Sequence, residues 1–172
     1  MGLIIFSNAT AQSIGAMIYG QPSSINDKSV VLTMLRTNTV RESIVTGNWP
    51  GNGGTIRYWD KLGYQNVLNI SYRQQATSES VFCPADSLNS FKKKVEEILT
   101  SVNNVPLVVL ENEEANKGYR NFSNTSLNDY INELKAACEV AHELNVKCTN
   151  GGLTTVPIVI ATYRWLDSIN SK

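Results

Sequence analysis

The chain has 172 residues, 15 basic and 15 acidic side chains, one histidine and 42% hydrophobic residues. That length suits one globular domain with a real core, and the composition does not point to disorder, a coiled coil or a membrane span. Balanced charge without a basic stripe lacks the electrostatic footprint of a nucleic-acid binder, so neither nucleic acid nor membrane is expected as a partner.

Residues 1–11 can be read in two ways. Gly2-Leu3-Ile4-Ile5-Phe6 followed by Ala9-Thr10-Ala11 resembles the end of an export signal with its small-x-small cleavage pattern. The rival reading is an ordinary first strand. The absence of strand alternation in residues 7–12 favours a signal remnant without fold information, with residues 12–172 as the folded domain and a secreted or periplasmic location. N-x-[ST] triplets at Asn8, Asn69, Asn121 and Asn124 are too cheap a pattern to add anything.

From residue 14 on, strand and helix signals alternate. Residues 14–20 read as a first strand. A helix follows with Val30, Val31, Met34 and Leu35 on one face. Residues 39–45 read as a second strand, and a Gly-rich loop then opens a short helix with Ile56, Trp59 and Leu62, closed by Gly63. Residues 67–72 form a third strand. Leu88, Phe91, Val95, Ile98, Leu99 and Val102 space a helix behind Asp86 or Ser87. Pro106-Leu107-Val108-Val109-Leu110 is a nearly all-apolar strand of the kind buried in a parallel sheet. A long helix carries Leu127, Tyr130, Ile131, Leu134, Cys138, Ala141 and Leu144, with Ser126 and Asp129 as an approximate capping box. Residues 146–150 make a fifth strand before Gly151-Gly152, and Thr154 or Thr155 caps a last helix with Pro157 in its first turn.

Five βα units imply an α/β fold with parallel strands and right-handed crossovers. Two architectures fit: part of a TIM (β/α)₈ barrel, or a flavodoxin-like five-stranded parallel sheet. The phosphate-cradling glycine pattern is absent after the first strand, so no nucleotide cofactor is expected. Polar residues gather at the ends of all five strands (Gln21, Arg41 with Glu42, Tyr72 with Arg73, residues 111–114, Asn150), a spread that favours a barrel rim.

Glu111-Asn112-Glu113-Glu114 follows the most apolar strand directly. A carboxyl group between apolar walls and other acids favours its protonated form, as a general acid for glycosidic cleavage requires; a solvated loop opening the next helix is the plainer reading. Asn112-Glu113 at the end of the fourth strand, with Arg41 on the second, resembles the clan-A glycoside hydrolases, whose acid/base sits on strand four and nucleophile on strand seven. The resemblance implies that Glu113 protonates the leaving oxygen, Asn112 binds the sugar 2-hydroxyl and Arg41 contacts the nucleophile. Glu114 stands where many members have Pro, and the histidine often seen after the third strand is missing. The resemblance also implies that strands six to eight, and the nucleophile, lie outside these residues, so that the chain alone should turn over little or no carbohydrate and could self-associate through exposed barrel edges.

Asn150 serves equally as a rim hydrogen bond or a turn residue, and Trp49 as a sugar-stacking platform or a packed loop residue. Trp59 and Trp165 read as core, and His142 as a surface or interhelix residue. Cys83, Cys138 and Cys148 lack metal-ligand spacing. They are expected as small buried hydrophobes, with a Cys138–Cys148 bridge left open.

Overall fold

The computed structural model describes residues 3–8, 11–18, 25–72, 82–111 and 124–151, with side chains at 28–72, 82–111 and 128–151. Six strands form one sheet in the order β1-β2-β3-β4-β5-β6: β1 (Leu3–Asn8), β2 (Ala11–Ile18), β3 (Thr39–Val45), β4 (Gln65–Ser71), β5 (Leu107–Leu110) and β6 (Lys147–Asn150). Helices α1 (Ile25–Met34), α2 (Gly54–Lys61), α3 (Leu88–Ser101) and α4 (Asn124–Glu143) connect the parallel strands β2 to β6. The protein is therefore α/β with a parallel sheet, as expected. The N-terminus differs: Leu3–Asn8 is a strand, paired antiparallel with β2, where residues 1–11 were expected to carry no fold. None of the described helices is long and apolar enough to cross a membrane.

The strands follow one another across the sheet in chain order. A flavodoxin-like sheet instead runs 2-1-3-4-5 and reverses at a switch point, so this order corrects that alternative. The faces differ from a doubly wound sheet as well. Partners in a parallel register share a face, and one set of rows contains Val40, Leu68 with Val108, and Ile44 with Ile70 and Leu110. These side chains form the buried clusters with Leu32 of α1, Ile56 and Trp59 of α2, Phe91 and Val95 of α3, and Tyr130 and Ala137 of α4. All four described helices thus contribute to one face. The other face carries Thr39, Arg41, Ser43, Gln65, Asn69, Ser71, Lys147 and Thr149 beside the apolar Val45, Val67, Leu107 and Val109, a mixed set that is mainly polar outside β5.

The helix ends repeat one device. Thr37, Tyr64 and Val146 each donate a backbone N–H to the carbonyl five residues back. The residue before each, Arg36, Gly63 and Asn145, has positive φ and donates three residues back. This is the Schellman closure, and it satisfies helix-end carbonyls while turning the chain into the next strand.

Several sequence expectations shift. Among the described side chains of α1 the buried one is Leu32, while Val30 and Met34 are 59% and 78% exposed. Leu62 and Leu144 are exposed too, whereas Phe91, Val95, Ile98, Leu99 and Val102 are buried as their spacing predicts. Ser126 lies inside α4 and so cannot cap its start. Cys138 and Cys148, expected as free thiols with a bridge left open, form a disulfide tying α4 to β6. Cys83 is free and buried, Trp59 is in the core, and His142 is exposed. The expected helix after residue 154, with Trp165, lies outside the described residues.

At the N-terminal end of the strands, Asp60 joins three elements. Its carboxylate accepts Asn66 Nδ2 of β4 at 2.7 Å and the Asn103 backbone N–H after α3 at 2.8 Å.

Candidate functional site at the C-terminal strand ends

Asn112 and Glu113, the expected sugar contact and acid/base, lie outside the described residues. Glu111, the residue before them, is described in full. It is completely buried and has φ of 59°, a left-handed conformation unusual for a side chain of its size. Arg36, Asn104 and Asn145 share positive φ, but each lies between a helix and the following strand; Glu111 follows a strand.

Glu111 is held from three sides. Its N–H donates to Ile70 O at 2.8 Å, the last regular rung of the β4–β5 ladder. In a parallel ladder the next rung would run from the Tyr72 N–H to the Glu111 carbonyl. Here the Tyr72 N–H donates to the Glu111 carboxylate Oε1 at 3.0 Å, and the Glu111 carbonyl accepts Asn69 Nδ2 at 2.9 Å. The left-handed turn rotates the peptide, and the side chain takes up the N–H at that position.

Asn69 sits on the polar face and is 3% exposed. Its Nδ2 also donates to Val109 O at 3.3 Å, and its Oδ1 accepts Arg41 Nη2 at 2.7 Å. One carboxamide therefore links β3, β4 and the end of β5. Thr46 Oγ1 adds a second tie, donating to Tyr72 O at 3.0 Å. Such a cluster can present polar groups to an oxygen-rich ligand, and a guanidinium is suited to a carboxylate.

The other expected rim residues divide by face. Arg41 reaches the network from the third position of β3. Glu42 points to the helix side, where its Oε1 accepts Trp59 Nε1 at 2.6 Å. Tyr72 is buried edge-on against Phe91, so both are fold residues and not rim groups. Asn150 pairs in register with Leu110 and so belongs to the helix-facing rows; its Oδ1 accepts Thr149 Oγ1 at 3.2 Å. Trp49, beyond the end of β3, packs partly against the main core with its Nε1 buried and unpartnered. It lines a cleft of about 380 Å³ with Val45, Pro50 and Ile56. The structure thus links Arg41 through Asn69 to the end of β5, while Trp49 lines a separate cleft. Gln21 and Arg73 lie outside the described residues.

Sequence reasoning missed Asn69, which it weighed only as a glycosylation triplet. Its burial in mid-strand is incompatible with that modification in the folded state. The usable signal was a carboxamide inside an otherwise apolar strand, since a buried polar side chain implies partners.

Cys83 is no nucleophile. Burial pushes its thiol up to about 12, assisted by the carboxylates of Glu133, Asp129 and Asp86, so it stays protonated and unreactive. Its N–H donates to the buried Glu133 carboxylate at 2.7 Å, which fixes the approach to α3. Among the described residues, no three His, Cys, Asp or Glu side chains gather as a metal site would need. No protein-family model matches the chain, and no curated protein is significantly similar to it.

Proposed function

We propose that this chain carries consecutive βα units of a (β/α)₈ barrel from a secreted or periplasmic retaining glycoside hydrolase acting on O-glycosidic bonds. Glu113 is the acid/base, and Asn112 and Arg41 are polar contacts of the same site. The observation that carries the reading is the sheet itself: parallel strands in chain order, with the described helices on one face and polar groups on the other. Winding of that kind leads toward closure, and barrel enzymes work from the C-terminal strand ends. The left-handed turn at Glu111, directly before Asn112-Glu113, supports a functional rim there, because strained residues concentrate at such sites. The Cys138–Cys148 bridge supports an oxidising compartment.

A general acid contributes roughly 10²–10⁴-fold when the leaving group is poor and little when it is good. The test assays the full-length product of the reading frame encoding this chain, on alkyl and dinitrophenyl glycosides of both anomers. Glu113→Gln should depress kcat/KM for the alkyl substrates far more than for the activated ones. Hydrolysis of none of them by the unaltered protein would overturn the proposal. Sugar-dependent thermal protection without hydrolysis would instead mark a non-catalytic carbohydrate-binding protein.

A further inference from the structure

We infer that Asn69 is a positioning residue for the acid/base, acting through the Glu111 peptide; the inference rests on the glycosidase reading above. A non-glycine residue keeps a left-handed backbone only where its surroundings over-determine it. At Glu111 the Ile70 carbonyl, the Tyr72 N–H and the Asn69 carboxamide are among the contacts that do so. The first is ordinary sheet pairing, and the second satisfies the side chain. The third grips the Glu111 carbonyl, which precedes Asn112 in the chain. Asn69 therefore holds the carbonyl directly before Asn112-Glu113 in the sequence.

Its other end is anchored. Arg41 Nη2 donates to Asn69 Oδ1 at 2.7 Å, and this fixes which end of the amide faces β5. The amide is thus oriented by one neighbour and orients another, both from strands flanking its own. Misplacing a catalytic group by about 1 Å can cost on the order of 10²-fold, so this relay has leverage on chemistry without touching substrate.

Asn69→Asp keeps an acceptor for Arg41 and removes both donors to β5. Asn69→Ser shortens the side chain beyond reach of either carbonyl and serves as the second variant. Both are compared with Glu113→Gln in the full-length protein, reading kcat/KM on alkyl and dinitrophenyl glycosides, with circular dichroism and thermal melting as fold controls. We expect folded variants whose kcat/KM falls about 10- to 100-fold on alkyl glycosides and less than about threefold on activated ones, the pattern of a displaced acid. Equal losses on both substrates, or none, would overturn the role of Asn69. So would failure of both variants to fold, which would make Asn69 a residue of the fold alone. If Glu113→Gln shows the leaving-group dependence and the Asn69 variants do not, only this inference fails. If Glu113→Gln lacks it, the acid/base assignment fails and the inference goes with it.

Discussion

The Glu111 carboxylate gives the sharpest test of how β5 ends. Replacing it with Ala removes the acceptor at 3.0 Å from the Tyr72 N–H in a site without solvent. A buried donor left unsatisfied costs about 1–3 kcal/mol, and the void left by the fully buried side chain adds to that, giving roughly 2–4 kcal/mol in all. The left-handed backbone persists in the Ala variant, so its strain cancels in the comparison. Glu111→Gly loses the same acceptor but relieves that strain, recovering about 1 kcal/mol. Glu111→Gln keeps an oxygen acceptor for the Tyr72 N–H and should lose about 1 kcal/mol. The expected order of destabilisation is Gln below Gly below Ala. Equilibrium urea unfolding followed by tryptophan fluorescence measures it, and amide exchange at Tyr72 reports the bond directly. An Ala variant within about 0.5 kcal/mol of the parent, or a Gly variant no better than Ala, would refute the account.

The Cys138–Cys148 bridge closes a separation of ten residues; loop-closure entropy for that length is about 2.7 kcal/mol. Reduction, or Cys138→Ala with Cys148→Ala, should therefore lower Tm by roughly 5–10 °C in a scanning melt, at about 2–4 °C per kcal/mol. Asp60→Ala strips acceptors from buried Asn66 Nδ2 and the exposed Asn103 N–H together, and should shift the urea midpoint by the equivalent of about 1–3 kcal/mol, most of it from Asn66 because water takes up the Asn103 N–H. Burial raises the Cys83 thiol from 9.0 to about 12, so its protonated form is favoured in the fold. That contribution is complete below pH 9 and is lost as pH rises toward 12, where the unfolded chain releases the proton first. Stability should fall across that window, Cys83→Ala should flatten the fall, and native Cys83 should resist a disulfide-exchange reagent at pH 8.

What the sequence discloses depends on whether a residue's side is decided locally. β3 was predicted over 39–45 and is found there, and α3 buries the face that its spacing marks. In α1, Val30-Val31-Leu32 offers three adjacent apolar residues, so periodicity admits more than one face. Packing selects Leu32 and exposes Val30 and Met34. The rim was legible only in part, for a related reason. Polar residues near strand ends were grouped by proximity along the chain, but pleating sends Glu42 and Tyr72 to the helices and Arg41 and Asn69 the other way. Partners such as Asn69 and the Glu111 carbonyl are 42 residues apart and meet only through the β4–β5 register. The cysteine pair likewise becomes adjacent only once α4 packs against β6.

The two ends of the sheet spend their buried polar groups differently. At the N-terminal end, Asp60 satisfies a neighbouring side chain and a loop amide, and the chain around it passes from helix to strand through repeated closures. Those contacts knit elements together. At the C-terminal end, a strand stops in a left-handed residue, and the Asn69 carboxamide, opposite Ser43 in the β3–β4 register, would be superfluous if only stability were at stake, because the Glu111 carbonyl could have kept its place in the ladder. On the barrel-enzyme reading proposed above, the first end serves stability and the second serves chemistry. Asp60→Ala and Glu111→Ala should therefore cost similar stability yet part company in assay. The first should leave the rim's kinetics intact in whatever fraction remains folded, and the second should disturb them even well below its melting temperature.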